Sequence, residues 1–396
     1  MKPTHLVNDT KRGKVSVFEN EKELQKYLEV NFTESLKQMI KVTVNIMVKT
    51  EMEEFRRQID ERLQFNGTYG RNMRGTFGTV EGVPIPRFRQ GLAGMELNSL
   101  SVFEAEEQKF MRLIEEMHML GISQRKVKRI ARLCLGTRMS TTKVGAIHKE
   151  LADKEELQIN AKPLLDEYEY LYLDGIWETT KGYGWDENKS VLLCALGVKT
   201  NGERKIVGFA LCRAEDEKSW GAFVRSLKKR GLTGVNLKLI IADDNVAIHA
   251  AAENVFEEVP LQNCVAHKLR NVVTKTSFKN KTAVAEDAKA IFHQETRKEA
   301  FIKAKEVVKR WYIVEPKAME SLRFHLELCF TYFDFPQEDW KKIRTSNLLE
   351  REFREVRRRM KVFDNTFQSQ ESGNRYANSI FNYLNETYPH KSAFTH

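Results

Sequence analysis

Residues 168–177 read Tyr168-Glu169-Tyr170-Leu171-Tyr172-Leu173-Asp174-Gly175-Ile176-Trp177, and here the hydrophobic period changes from helical to strand-like. Tyr168–Thr180, Ser190–Thr200 and Arg204–Arg213 read as three strands. Gly182 and Gly184 punctuate the first connection, and Asn201-Gly202 is a hairpin turn in the second. An amphipathic helix follows over Glu215–Lys229, with Trp220, Phe223, Val224 and Leu227 on one face and Gly231 as its stop. Val235–Ala242 is an apolar run suited to a buried strand. Then come a helix over Ala247–Phe256, a short strand at Leu261–Val265 and a helix from His267 to Lys275. Three antiparallel strands followed by strand–helix alternation predict an α/β fold with a mixed sheet.

Upstream, Leu24, Leu28, Phe32, Leu36 and Ile40 recur every four residues on one helix face. Thr76–Glu81 reads as a short strand, and Pro84, Pro86, Arg87, Arg89 and Gly91 as a basic, turn-rich connector. Glu104–Leu120 is helical and stops at Gly121. Ser123 can cap a helix carrying Val127, Ile130, Ala131 and Leu133, broken at Gly136. Ser140 can cap another carrying Val144, Ile147, His148 and Leu151. Three short helices with a glycine before the last suit a helix-turn-helix, and Lys126, Lys128, Arg129 and Lys143 would then lie on DNA phosphates. An ordinary three-helix packing unit with solvated lysines gives the same pattern. Downstream, Thr282–Trp340 is again helical, and a charged helix runs from Thr345 to about Val362.

The chain has 396 residues, with 65 basic and 55 acidic side chains and a net charge of +10. That length allows two or three domains, and the basic excess favours a polyanionic partner. A hydrophobic fraction of 41% excludes collagen-like and fully disordered chains. Five cysteines without a dense framework argue against a disulfide-stapled secreted protein. No apolar run is long enough for a bilayer span, and the polar start at Met1–Lys14 argues against a signal peptide. The expected setting is cytoplasmic and nucleoid-associated, with no membrane partner.

Four features carry chemistry. Asp174 is a carboxylate inside an apolar strand, which is costly unless a cation, a base or hydrogen bonds compensate; a solvated face is the alternative. Asp243 ends the run Leu239-Ile240-Ile241-Ala242, at the strand edge where α/β sheets bind ligands; Asp243 or Asp244 could instead cap the next helix. Lys341–Lys361 holds nine basic and three acidic residues around Glu350, an arginine excess that suits phosphate. Cys264-x-x-His267 is half of a zinc pattern, and His325-x-x-x-Cys329 could be the other half. The halves are far apart and no second Cys-x-x-Cys supports them, so zinc is not expected.

Together these residues resemble the Mutator-type transposases of bacterial insertion sequences. The resemblance rests on Asp174-Gly175, on Leu196-Gly197-Val198 with Gly202, Gly208 and Trp220, on Arg230-Gly231-Leu232, and on Asp243. It continues through Cys264-x-x-His267-x-x-Arg270-Asn271 and Thr345-x-Asn347-x-x-Glu350-Arg351. Thr76-x-Gly78, Pro86-Arg87-x-Arg89-x-Gly91 and Gly121-x-Ser123 also match, so the likeness spans roughly residues 70–365. Each motif is common, whereas their order and spacing are specific. The sequence departs from the family at Ala242-Asp243-Asp244, usually Ser-Asp-Gly, and at Thr345-Ser346-Asn347, usually Thr-Thr-Asn.

The resemblance implies a ribonuclease-H-like core with an all-helical insertion between Asp243 and Glu350. It divides the chain into a helical region and connector (1–103), a helix-turn-helix domain (104–161), the first part of the core (168–278), the insertion (279–340), a completing helix (341–366) and a C-terminal tail (367–396). It implies that Asp174, Asp243 and Glu350 are catalytic and hold Mg²⁺ or Mn²⁺, two ions per site. Arg87, Arg89, His267, Arg270, Arg351, Arg354, Arg357 and Arg358 would face DNA, and Cys264, His267 and Trp220 would support the site. The expected protein is a DNA transposase working as a homodimer on paired element ends and on target DNA. A non-catalytic DNA-binding regulator descended from one, or a structure-selective nuclease of the same fold, is the alternative.

Overall fold

The computed structural model describes residues 5–9, 14–18, 21–59, 62–89, 97–135, 137–154, 159–179, 189–360 and 369–387. The expectations at Gly91, Gly136, Gly182 and Gly184 lie outside them. The chain forms two compact units, one of Met1–His118 with Gln124–His148, the other of Met119–Ser123 with Lys149–His396.

In the first unit, β1 (His5–Asp9) pairs antiparallel with β2 (Lys14–Phe18). Helix α1 (Glu21–Ile59) is longer than expected, because the spacing of four continues through Val44, Val48 and Met52, all fully buried. These pack with a hairpin of β3 (Phe65–Gly75) and β4 (Gly78–Phe88). Thr76 and Phe77 form the turn of that hairpin rather than a strand. Pro84 and Pro86 lie inside β4, not in a connector. Each strand of a two-stranded ribbon keeps an open edge, where a missing N–H is tolerated. Helix α2 (Asn98–Met119) starts before Glu104, because the Glu51 carboxylate accepts the Asn98 and Ser99 N–H groups at 2.6 and 2.8 Å. Gly121 has φ +83°, as a helix stop requires. Helices α3 (Gln124–Leu135) and α4 (Thr141–Lys154) follow, with Ser140 Oγ accepting the Lys143 N–H at 3.1 Å. Val127, Ala131, Val144 and Ile147 are buried as read, but Leu133 is exposed.

The second unit is a mixed α/β structure around a five-stranded sheet. Its strands are β5 (Tyr168–Thr179), β6 (Lys189–Lys199), β7 (Arg204–Cys212), β8 (Leu239–Ala242) and β9 (Leu261–Asn263), in spatial order β7-β6-β5-β8-β9. The first three are antiparallel, and β8 and β9 add in parallel. Strand β8 is shorter than the apolar run suggests: Gly234 has φ +94° and Val235 is exposed. Side-chain alternation sorts the sheet into two faces. Leu171, Leu173, Ile240 and Ala242 pack with α5 (Glu217–Lys229) and α6 (Val246–Val255). Tyr170, Tyr172, Ile176 and Ile241 pack into the core shared with the later helices. These are α7 (Val265–Thr274), α8 (Lys281–Ile291), α9 (Arg297–Trp311), α10 (Pro316–Arg323), α11 (Gln337–Ile343), α12 (Asn347–Met360) and α13 (Gln370–Thr387).

The last helix occupies most of the stretch read as a tail. Tyr376, Ile380, Phe381 and Leu384 are buried, and Asn385 exchanges two hydrogen bonds with Ile206 of β7. No helix among the described residues is long and apolar enough to cross a membrane.

Trp220 is fully buried on α5, its ring centroid 5.9 Å from that of Phe223. Trp220→Ala is expected to destabilise the fold by about 3–5 kcal/mol. Urea denaturation measures it, and an unchanged midpoint would contradict the packing role.

Candidate active site

Strands β5 and β8 run parallel with Leu173 opposite Ala242. The next residue on each strand is an aspartate, so the register alone brings Asp174 beside Asp243. Asp174 is 6% exposed, so the solvated-face alternative fails. Its Oδ1 accepts the Gly175 N–H at 2.8 Å, and Asp243 Oδ1 accepts the Asp244 N–H at 2.7 Å. Neither Asp243 nor Asp244 caps α6; the cap is Asn245, whose Oδ1 accepts the Ala247 N–H at 2.9 Å.

Two helix starts are clasped together to bring in the third acid. Cys264 precedes α7 and is fully buried, and its Sγ accepts both the N–H and the hydroxyl of Ser346 at 3.2 Å. Ser346 is therefore turned into the core. The Cys264 N–H bonds Ala242 O at 2.7 Å, and the Val265 N–H bonds Arg344 O at 2.9 Å. His267, on the first turn of α7, then meets Glu350, on the first turn of α12. His267 Nε2 is 3.1 Å from Glu350 Oε1, and its Nδ1 is 3.5 Å from Asp243 Oδ1. Arg270, nearly one turn further on, donates to the same Glu350 oxygen at 3.0 Å.

Burial pushes the Asp174 carboxyl up to about 7, against the opposing pull of His267 and the Gly175 N–H; the charges on Asp243 and Glu350 add to the rise. Burial disfavours the charged form of His267, but its hydrogen bond to Cys264 and the carboxylates of Asp174 and Asp243 outweigh this and raise it to about 9. The acids thus favour the charged form of His267, and its buried Nδ1 lacks a hydrogen-bond partner. Oxygen donors in excess of positive charge are the surroundings that hard divalent cations fit.

The two halves of the zinc pattern do not meet as a set among the described residues. Cys264 bonds Ser346, His267 faces Asp243 and Glu350, Cys329 is fully buried, and His325 pairs with Asp244 at 3.1 Å. Asp244, His249 and His325 each bring a ligand atom within 4.8 Å of the others, a group that could hold a metal. The ammonium of Lys268, itself fully buried, already bonds Asp244.

Sequence reasoning missed Lys268, and also Glu215, which accepts the indole N–H groups of Trp177 at 3.0 Å and Trp220 at 3.3 Å. Burial raises the pKa of Glu215, despite those bonds. The partners of Lys268 and the Trp177 partner of Glu215 lie on other elements, so no local pattern marks these contacts.

The arginine run is split by helical geometry. Arg351, Arg354, Arg357 and Arg358 are exposed, whereas Arg359 is 2% exposed and donates to Met119 O at 2.7 Å. Arg358 also pairs with Glu355 and donates to Leu120 O. In the first unit Lys126, Lys128, Arg129 and Lys143 are exposed, as are Arg87 and Arg89 of the hairpin.

Residues 10–391 match the family model described as "Transposase, Mutator family". The chain is 28% identical over 343 residues to the transposase of insertion sequence element ISRM5 from Rhizobium meliloti (strain 1021), covering 84% of each protein. It is 29% identical to the transposase of IS256 in transposon Tn4001 from Staphylococcus aureus, over 93% of this chain and 95% of that one. The transposase of IS406 from Burkholderia multivorans (strain ATCC 17616 / 249) is 33% identical over 63% of this chain and 64% of its own. With the family model spanning nearly the whole chain and these relatives alongside it, the chain belongs to the Mutator family of transposases.

Proposed function

We propose that Asp174, Asp243 and Glu350 are the catalytic acids of a metal-dependent reaction that nicks the ends of an insertion sequence and joins the freed 3′-hydroxyl to target DNA. The observation that carries this is their convergence: Asp174 in the middle of β5, Asp243 just past the end of the adjacent β8 and Glu350 at a helix start, gathered around His267. The sheet order also supports a ribonuclease-H-like core, in which three antiparallel strands precede two parallel ones.

The three carboxylates would hold Mg²⁺ or Mn²⁺, two ions per site. Bound divalent cations supply a Lewis acid for the attacking and leaving oxygens of a phosphodiester. The protein's own part is to keep the acids together before DNA arrives. His267 offsets their mutual repulsion, and the Cys264–Ser346 clasp fixes α12 against the sheet. Arg270, Arg351, Arg354 and Arg357 supply positive charge for the DNA backbone beside the acids. Incubation with cloned element ends and Mg²⁺, with a chelator control, is expected to give nicks and joined strands. End binding without either product would favour the regulator, and cleavage indifferent to the ends would favour the nuclease.

We further assign α2–α4 to a helix-turn-helix that reads the inverted repeats, with α4 in the major groove and Lys126, Lys128, Arg129 and Lys143 on phosphates. Two ends per reaction call for a homodimer. Reversing the charge of Arg129 and Lys143 together is expected to weaken end binding and lower the salt slope by about two. An unchanged slope, or a fragment lacking residues 1–160 that binds the ends as tightly and selectively, would overturn the assignment.

A further inference from the structure

Beyond α7 the helical segment ends in a tip made of two loops that the reaction described above does not use. One is the turn after α7, and the other joins α9 to α10. Phe278 on the first is 93% exposed; Ile313 and Val314 on the second are 90% and 60% exposed. Scattered exposed apolar residues are ordinary, but three large ones on two adjoining loops are a patch.

The loops are tied to each other. Glu315 is buried, and its carboxylate accepts the Ser277 N–H at 3.0 Å, the Ser277 hydroxyl, and the Asn280 side-chain amide at 2.7 Å. On the other side, Asp287 accepts Trp311 Nε1 at 2.7 Å and Arg310 at 2.9 Å. The apolar side chains are thus held outward by a fixed backbone.

Charge decides what would cover them. Residues 275–281 and 309–317 contain six basic side chains, of which Arg310 is paired with Asp287, and one acid, the buried Glu315. Lys279, Lys309 and Lys317, each within four residues of Phe278, Ile313 or Val314 in sequence, are exposed. Protein interfaces are depleted in lysine at their core, whereas apolar side chains ringed by lysines are how proteins kink a duplex.

We propose that this tip is a DNA wedge: Phe278 and Ile313 enter between stacked base pairs while the flanking lysines hold the phosphates, bending the duplex. Helix α7 has ten residues and spans about 15 Å from the acids to the tip. The wedge would therefore act roughly four base-pair steps from the scissile phosphate. The inference rests on the transposase reading for its DNA, and the test separates the two.

The full-length wild type, Phe278→Ala/Ile313→Ser and Phe278→Leu are each bound to element-end and unrelated duplexes. The duplexes carry end fluorophores for bending and 2-aminopurine for unstacking. The double variant is expected to melt with the wild type and keep its salt slope, since no lysine is removed. It is expected to lose the bend and the 2-aminopurine signal, and to join intact DNA about tenfold more slowly. Phe278→Leu, still apolar, is expected to join like the wild type, and a mismatch placed at the wedge step is expected to restore joining by the double variant. The duplex on which the bend is lost identifies end or target DNA as the wedged partner. Equal bending and unstacking by the double variant on both duplexes would overturn the wedge. A fall in its oligomeric mass with bending intact would instead assign the patch to a protein contact, and overturn the wedge equally. A wild type that binds neither duplex would overturn the function reading itself.

Discussion

Asp174→Asn, Asp243→Asn and Glu350→Gln are each expected to abolish nicking and joining, by roughly 10³-fold or more, while end binding stays near wild type. Each change keeps the side-chain shape and removes one charge. Loss of folding is not expected to explain the result. Burial holds the Asp174 carboxyl up to about 7 in the fold, well above its ordinary value. Its ionised form therefore opposes folding as pH rises through the ordinary carboxylate range, and does so fully above about 7. Asp174→Asn removes that opposition, so in chelator at pH 8 it should melt at or above the wild-type temperature. A dead variant that is also unfolded would leave the role to Asp243→Asn and Glu350→Gln, whose side chains are more exposed. If all three nick at wild-type rates, the catalytic assignment is wrong.

The three acids could be picked out as candidates because each interrupts a local pattern, although that pattern left a solvated face open for Asp174 and a helix cap for Asp243. Asp174 interrupts a period-two strand, Asp243 ends an apolar run, and Glu350 opens a helix rich in arginine. Their meeting was not legible from pattern alone, because it depends on a parallel register and on a thiol–serine contact across 82 residues. The hairpin strand Phe65–Gly75 escaped notice because FNGTYGRNMRG alternates poorly and is rich in glycine and asparagine. Pro84 and Pro86 suggested a connector because proline normally ends strands, a rule that an open ribbon edge relaxes. Ser346 has the chemistry of a helix cap, yet tertiary contact with Cys264 claims its hydroxyl. At Ser346 a long-range partner overrides a sound local preference.

The same override governs Asp244, and Lys268→Met is expected to cost about 3–5 kcal/mol, a large part of the 5–15 kcal/mol that holds a typical domain together. As a helix cap, Asp244 could be replaced by asparagine at little cost, but the structure gives it a different task. Its side chain is 5% exposed and accepts from Lys268, from Asn263 Nδ2 at 3.1 Å and from His325 Nδ1 at 3.1 Å. The Lys268 ammonium has three donors and spends them on Asp244 and on the carbonyls of Ser321 and Phe324. Removing the lysine leaves a buried carboxylate without its counter-charge, which is the expensive way to break such a pair. Asp244→Asn should also destabilise, because it strands the ammonium, although two carbonyls still hold it. Asp244→Asn/Lys268→Met buries no net charge and should regain part of the loss, giving a coupling energy well outside additivity. Urea midpoints of the four proteins measure the cycle, and a Lys268→Met midpoint equal to wild type would refute it. The pair also joins the residue after Asp243 to the α10 end of the helical segment. Joining by the refolded double variant should therefore fall even where stability returns, because the backbone carrying Asp243 has lost its anchor.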